Sequence, residues 1–148
     1  MVHISVVSTT NVSARTKARK RALDVLFEAD QRSVSAQEVL TRIAADASVP
    51  LNPWVATLVE GVTAHAVTID ETIETYSEGW ALDRMPAVDR ALARIAVYEL
   101  VYESEVPDAV TIDEIVSLAS EISTDESPAF LNGLLGRIAA IKHRISLD

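Results

Sequence analysis

Apolar residues recur at helical spacing along most of the chain. Apolar positions three and four residues apart form one face of a helix, whereas a half-buried strand alternates with a period of two. The first predicted helix, for example, carries Ala18, Ala22, Val25 and Ala29 on one face. No segment alternates convincingly as a strand would. The pattern therefore predicts an all-α fold of six or seven helices.

Capping residues and prolines predict where these helices begin. Ser35 is followed three residues later by Glu38, which is the spacing of a capping box. Asparagine before proline is a typical N-cap followed by a first-turn residue. The predicted starts are Ser13, Ser35, Asn52-Pro53, Pro86 and Ser127-Pro128. We expect the first helix to end near Gln31. The pattern after Pro53 predicts either one long helix or two helices divided near Thr68.

The helix after Pro86 is predicted to be the central one, because its apolar residues cover much of its circumference. The segment before it contains Gly79 and Trp80 and is expected to join two halves of one domain. The predicted organisation is a single domain over 1–148, with a loose leader (1–13), an N-terminal helical half (14–78) and a C-terminal helical half (79–148).

Composition excludes several classes of protein. The chain has 148 residues, of which 49% are hydrophobic and 24% charged, and it has no cysteine. These values are typical of one compact domain and exclude disulfides and cysteine-ligated metals. No apolar run approaches the roughly 18 residues that a membrane span needs. Because residues 1–12 also lack the pattern of a secretory signal, we expect a cytoplasmic protein.

Candidate catalytic groups are few. The three histidines are far apart in the sequence, and no phosphate-binding glycine loop, nucleophile elbow or zinc-protease motif occurs. His65 lies on the apolar side of its helix, where a structural role explains it better than metal binding. We therefore expect no enzymatic activity, no cofactor and no metal.

Charge is distributed very unevenly. The net charge is −9, yet residues 1–32 hold six Lys or Arg against three Asp or Glu, and residues 33–136 hold four against eighteen. Five of the thirteen cations lie within seven consecutive positions, and we call them the basic cluster: Arg15, Lys17, Arg19, Lys20 and Arg21.

Helix electrostatics suggest a ligand for the basic cluster. If Ser13 caps the helix, the first cations lie in its first turn, where each is disfavoured by up to about 1 kcal/mol. Like charges one turn apart repel as well. An anion would relieve both costs, although a solvated helix end without function is the alternative. Since a long duplex would repel an acidic protein, single-stranded RNA is favoured, with Phe130 either a stacking residue or part of the core.

Three segments together resemble one protein family. They are Ala14 to Phe27 (ARTKARKRALDVLF), Pro86 to Leu100 (PAVDRALARIAVYEL) and Val106 to Ile138 (VPDAVTIDEIVSLASEISTDESPAFLNGLLGRI). In content, order and spacing they resemble the transcription antitermination factor NusB family. The most specific parts are RIAVYEL, the VP turn followed by IDE, and SPAFLNGLL.

The resemblance implies a NusB-like helical bundle of two three-helix subdomains. It also implies an RNA-binding adaptor that pairs with NusE, a small-subunit ribosomal protein, on boxA RNA of ribosomal RNA operons and modifies elongation by RNA polymerase. The RNA-contacting positions would be Arg15, Lys17, Arg19 and Lys20 on the first helix, with Glu126 to Phe130 at the start of the last. The NusE-facing positions would be Asp83 and Asp89.

Two alternatives stay open from the sequence. A NusB-like domain also occurs as the accessory domain of a ribosomal RNA cytosine methyltransferase, whose catalytic domain does not fit in 148 residues. Some relatives are homodimers, so the chain is alternatively a dimerisation module that hides its RNA-binding face.

Overall fold

The computed structural model describes the backbone of residues 2–145 and the side chains of residues 14–145. Over that range the chain forms seven α-helices, two short 3₁₀ turns and no strand, which confirms the all-α prediction. The helices are α1 (Val2–Arg32), α2 (Ala36–Asp46), α3 (Pro53–Ala64), α4 (Ala66–Tyr76), α5 (Ala87–Tyr102), α6 (Asp108–Ile122) and α7 (Ser127–Ile141). The 3₁₀ turns are Leu82–Arg84 and Lys142–Arg144.

Two of the predicted helix starts are confirmed by their caps. The Glu38 backbone N–H donates to Ser35 Oγ over 3.1 Å at the start of α2. The Trp54 backbone N–H donates to Asn52 Oδ1 over 2.9 Å at the start of α3. These caps satisfy N–H groups that a helix start leaves without intrahelical partners.

The start of α1 differs from the prediction. The helix begins at Val2, so Ser13 lies inside it rather than capping it. The loose leader stays a prediction. The segment contains neither proline nor glycine, and extending an existing helix adds a hydrogen bond for each residue fixed. The side chains of residues 1–13 lie outside the described part of the chain.

The break between α3 and α4 falls at His65 rather than near Thr68. Its backbone N–H donates to the Gly61 carbonyl oxygen and ends α3. The His65 ring stacks on the Tyr102 ring of α5, with centroids 3.8 Å apart, which holds the break against the central helix. His65 thus has a packing role.

Helix α5 is the centre of the bundle, as predicted from its apolar circumference. Ten of its sixteen residues are buried. It packs against α1, α3, α4, α6 and α7. The partition of the chain into halves at residue 78 stays a prediction.

Candidate nucleic-acid interface

Folding divides the basic cluster between two environments. Lys17, Lys20 and Arg21 of α1 are exposed, whereas the neighbouring residues Ala18 and Ala22 are buried. We call these three cations the basic face. Within residues 14–145 neither Lys17 nor Lys20 forms an ion pair, so both ammonium groups are available to an external anion.

Arg21 is only loosely held by the protein itself. Its Nη1 lies 3.8 Å from Asp24 Oδ2, and both side chains are about half exposed. Partial burial raises the pKa of Asp24, and the positive charges of Arg21 and Lys20 oppose that rise. Exposed ion pairs contribute about 0–1 kcal/mol, so a phosphate can compete for Arg21 at little cost.

Arg19 does not lie on the surface. Its side chain is 1% exposed, and both Nε and Nη2 donate to the Glu99 carboxylate over 2.8 Å. Thr111 of α6 donates a further hydrogen bond to Glu99 Oε1 over 3.1 Å. Arg19 therefore joins α1, α5 and α6, and the predicted RNA contact for this residue is corrected, because its guanidinium is buried and already paired.

Arg15 is less exposed than the basic face and less buried than Arg19. Its side chain is one-third exposed, and Nη2 lies 3.3 Å from Glu105, a carboxylate that is itself largely in water. The Arg15 guanidinium also lies 4.9 Å from the ring centroid of Trp54, within cation–π distance. An exposed pair and a ring contact orient Arg15 without withdrawing it from solvent.

Folding places the basic cluster away from the start of α1. Because α1 begins at Val2, the basic cluster lies well inside the helix, beyond the first turn where the macrodipole opposes cations. Lys17 still lies three positions from Lys20 and four from Arg21, so its like-charge repulsion with both remains. That repulsion is the part of the cost that an anionic ligand would relieve.

Asp89 is also buried, contrary to its predicted role at a partner surface. It is 0% exposed at the start of α5, and Ser127 Oγ donates to Asp89 Oδ2 over 2.7 Å. The Ser123 hydroxyl donates to the other carboxylate oxygen. Asp89 therefore ties the junction of α6 and α7 to α5, because a buried carboxylate is stable only when its oxygens accept hydrogen bonds.

This junction presents the second predicted RNA-contacting segment. Glu126 is exposed immediately before α7. Phe130 is partly buried, with its ring edge-on to Trp80 and the centroids 4.8 Å apart. Most of Phe130 thus packs on the core, and an RNA contact for Glu126 or Phe130 stays a prediction.

Of the two predicted partner-facing carboxylates, only Asp83 is exposed. It lies in the 3₁₀ turn between α4 and α5, next to the exposed Arg84. Its position agrees with a contact to a basic partner, which stays a prediction.

Sequence reasoning missed Trp54, Glu99 and Glu105. Trp54 has guanidinium groups of both Arg15 and Arg19 within about 5.0 Å of its ring centroid. In the sequence, Glu99 is a single acidic residue within an apolar run. That interruption was the available signal, since a carboxylate on an otherwise buried helix needs a partner.

The described side chains show no metal centre and no membrane span. Residues 14–145 contain no group of three His, Asp or Glu placed to hold a metal ion. Across the helices that are described, none is long and apolar enough to cross a bilayer.

Comparison with known proteins agrees with this architecture. Residues 16–140 match the model of the NusB family. A transcription antitermination protein NusB from Arthrobacter sp. (strain FB24) is 55% identical over 131 residues, covering 88% of this chain and 96% of that protein. The T. maritima NusB structure superposes with a TM-score of 0.77 at 32% identity, covering 85% and 90% of the two chains.

A further structure shows the fold alone. A complex of antitermination factors NusB and NusE with dsRNA matches with a TM-score of 0.77 at 24% identity, covering 86% of this chain and 97% of that one. Fold and surface together define the chain as a small all-α bundle with a polycationic helix surface. The chain belongs to the NusB family, whose matched relatives carry the name of transcription antitermination proteins. This confirms the prediction of a transcription antitermination factor rather than an enzyme.

Proposed function

We propose that the chain binds single-stranded boxA-type RNA through Arg15 and the basic face. The observation that carries the proposal is that Lys17 and Lys20 are exposed and unpaired within residues 14–145 of a chain whose net charge is −9. In such an acidic protein, exposed cations that form no ion pair mark a surface suited to a polyanion. Arg15 and Arg21, with weak pairs only, extend it along α1.

A single strand suits this surface better than a long duplex. The cations occupy less than two turns of one helix, whereas most of the remaining charge is negative and would repel extended phosphate backbones. Single strands are bound by short tracks of cations beside exposed rings or apolar surface. The same RNA would then hold the protein on the transcript near RNA polymerase, in the cytoplasm.

The proposed protein partner is NusE, contacted through Asp83. This carboxylate is exposed and belongs to a short turn at the entrance to α5. A basic ribosomal protein is the kind of partner that an acidic surface attracts. Asp89, being buried, would act only by holding the neighbouring junction in place.

Salt dependence of RNA binding tests the electrostatic mechanism. Four cations that each release a counterion predict that log affinity falls against log salt with a slope of about −2 to −3 for a single strand. Fluorescence anisotropy of a labelled boxA-type RNA at several salt concentrations measures this slope. A slope near zero would remove the proposed mechanism.

A matched pair of variants locates the site. Lys17→Ala/Lys20→Ala should weaken RNA binding and reduce the slope by about one to one and a half. The control Arg84→Ala/Arg144→Ala removes the same charge from two exposed positions on other parts of the molecule. Equal losses in both variants would mean that net charge, not the basic face, governs binding.

Co-purification tests the partner. Asp83→Lys should weaken binding of NusE, while Glu60→Lys, at an exposed position on α3, should not. A tight homodimer that binds neither RNA nor NusE at micromolar concentration would instead support the dimerisation module.

A further inference from the structure

A groove runs beside the basic face, between α1 and the loop that leads into α3. Its volume is about 380 Å³, which is in the range of small-molecule sites. Two members of the basic face line it, and the rest of its wall is mainly apolar. The lining residues are Ala14, Lys17, Ala18, Arg21, Pro50, Leu51, Asn52 and Val55.

We propose that this groove holds one nucleobase of the bound RNA, while Lys17 and Arg21 hold phosphates on either side of that base. The inference rests on the proposed RNA-binding function and adds a subsite to it. An apolar wall beside exposed cations matches the two parts of a nucleotide, a flat base whose faces make apolar contacts and an anionic backbone.

The spacing of the two cations suits a strand that follows the helix. Lys17 and Arg21 are four residues apart, which places them about 6 Å apart along the axis of α1 and on the same side of it. Both can therefore contact the same RNA strand. The buried residues Ala18 and Val55 form the floor between α1 and α3.

Asn52 is a polar residue in the lining of the groove. Its Oδ1 accepts the N-cap hydrogen bond from Trp54, and its Nδ2 donates to the Ala14 carbonyl oxygen over 3.5 Å. The loop is thus tied to α1 before any ligand arrives. Since most of the other lining side chains are apolar, we expect the groove to select a base mainly by shape and apolar contact rather than by its hydrogen-bonding edge.

Filling the groove is the first test. Ala14→Leu adds apolar volume to the wall, keeps every charge and retains a good helix former in α1. We expect it to weaken binding of the boxA-type RNA by about tenfold, close to the effect of exposing one buried apolar side chain. The matched control is Ala45→Leu, at an exposed position of α2, which should leave the affinity unchanged.

Removing bases from the RNA is the second test, and it needs no variant. In a series of boxA-type RNAs that each lack one base but keep every phosphate, one position should lose about tenfold in affinity for the wild-type protein. Replacing that base by another should cost less than removing it. The loss should disappear in Ala14→Leu, because the groove is then already filled.

The outcomes separate the two proposals. RNA binding with the expected salt slope, but with no base-sensitive position and no effect of Ala14→Leu, would overturn the groove and leave the RNA-binding surface intact. Absence of RNA binding, or a flat salt response, would overturn both. Loss of NusE binding in Ala14→Leu with unchanged RNA affinity would also overturn the base subsite, by assigning the groove to the protein partner.

Discussion

Arg19 of α1 and Glu99 of α5 form a buried ion pair with two parallel hydrogen bonds, each 2.8 Å long. Their side chains are 1% and 0% exposed. Such a bidentate arrangement fixes both distance and orientation between two planar groups. The pair therefore sets how α1 lies on the central helix, and with it the direction in which the neighbouring cations face solvent.

Removing one partner of this pair should destabilise the protein strongly. Glu99→Ala leaves the Arg19 guanidinium buried without a carboxylate, which typically costs about 3–5 kcal/mol. Urea unfolding of the variant measures the loss. The exposed pair provides the control, because Glu105→Ala should change the free energy of unfolding by at most about 1 kcal/mol.

Replacing both partners distinguishes packing from charge. Arg19→Met/Glu99→Leu should recover much of the stability lost in Glu99→Ala, since no unpaired charge then stays buried. A folded double variant should still bind RNA with an unchanged salt slope. A reduced slope would show that Arg19 contacts phosphate after all.

Asp89 should matter for stability and for the order of the α6–α7 junction. Asp89→Ala removes the acceptor of two serine hydroxyl groups, which keep only their hydrogen bonds to each other and to Thr124, so we expect a loss of about 1–3 kcal/mol in total. Faster amide hydrogen exchange at Thr124 and Ser127 would report the loosened junction. Asp83→Ala, at an exposed position, should stay within about 0.5 kcal/mol of the wild type.

Gly61 should not tolerate a side chain. A Cβ atom there would lie 2.2 Å from Tyr98 Cε1, so the aromatic ring of α5 would have to move. We expect Gly61→Ala to lower the free energy of unfolding by about 1–3 kcal/mol. At Gly136 nothing lies within 4 Å of the added atom, and Gly136→Ala should instead stabilise α7 by about 0.5–1 kcal/mol.

Glu28 should contribute to the loss of stability at acid pH. Hydrogen bonds from Arg32 and Arg42 lower the pKa of Glu28 below its ordinary value, although its partial desolvation opposes them. The stabilisation is therefore complete above the ordinary glutamate pKa and is lost as the pH falls through the lower, folded-state value. Glu28→Gln should flatten the fall in stability over this range.

Thermal unfolding across the acid range measures the effect. Glu60→Gln, on the exposed side of α3, serves as the control and should leave the slope of stability against pH unchanged. If stability falls with decreasing pH in the same way for the wild type and Glu28→Gln, the role assigned to the Arg32–Glu28–Arg42 contacts is contradicted.

Features that depend on neighbouring residues were accessible from the sequence. The caps at Ser35 and Asn52 involve partners three and two positions away, so sequence spacing alone predicts the hydrogen bonds. The central position of α5 followed from its apolar circumference in the same way. The start of α1 was predicted wrongly because a serine inside a helix has the same sequence signature as a cap.

Only the tertiary structure determines which charged side chains are exposed and which are buried. Lys17 and Arg19 are two residues apart in one basic run, yet one is exposed and the other is buried against a carboxylate eighty positions away. In the same way, Asp83 is exposed whereas Asp89 is buried by the helices that pack around it. Periodicity predicts which face of a helix is apolar. Whether a charged residue at the edge of that face is buried or exposed depends on which helix packs against it. That neighbour is determined by the packing of α1, α3, α5 and α6.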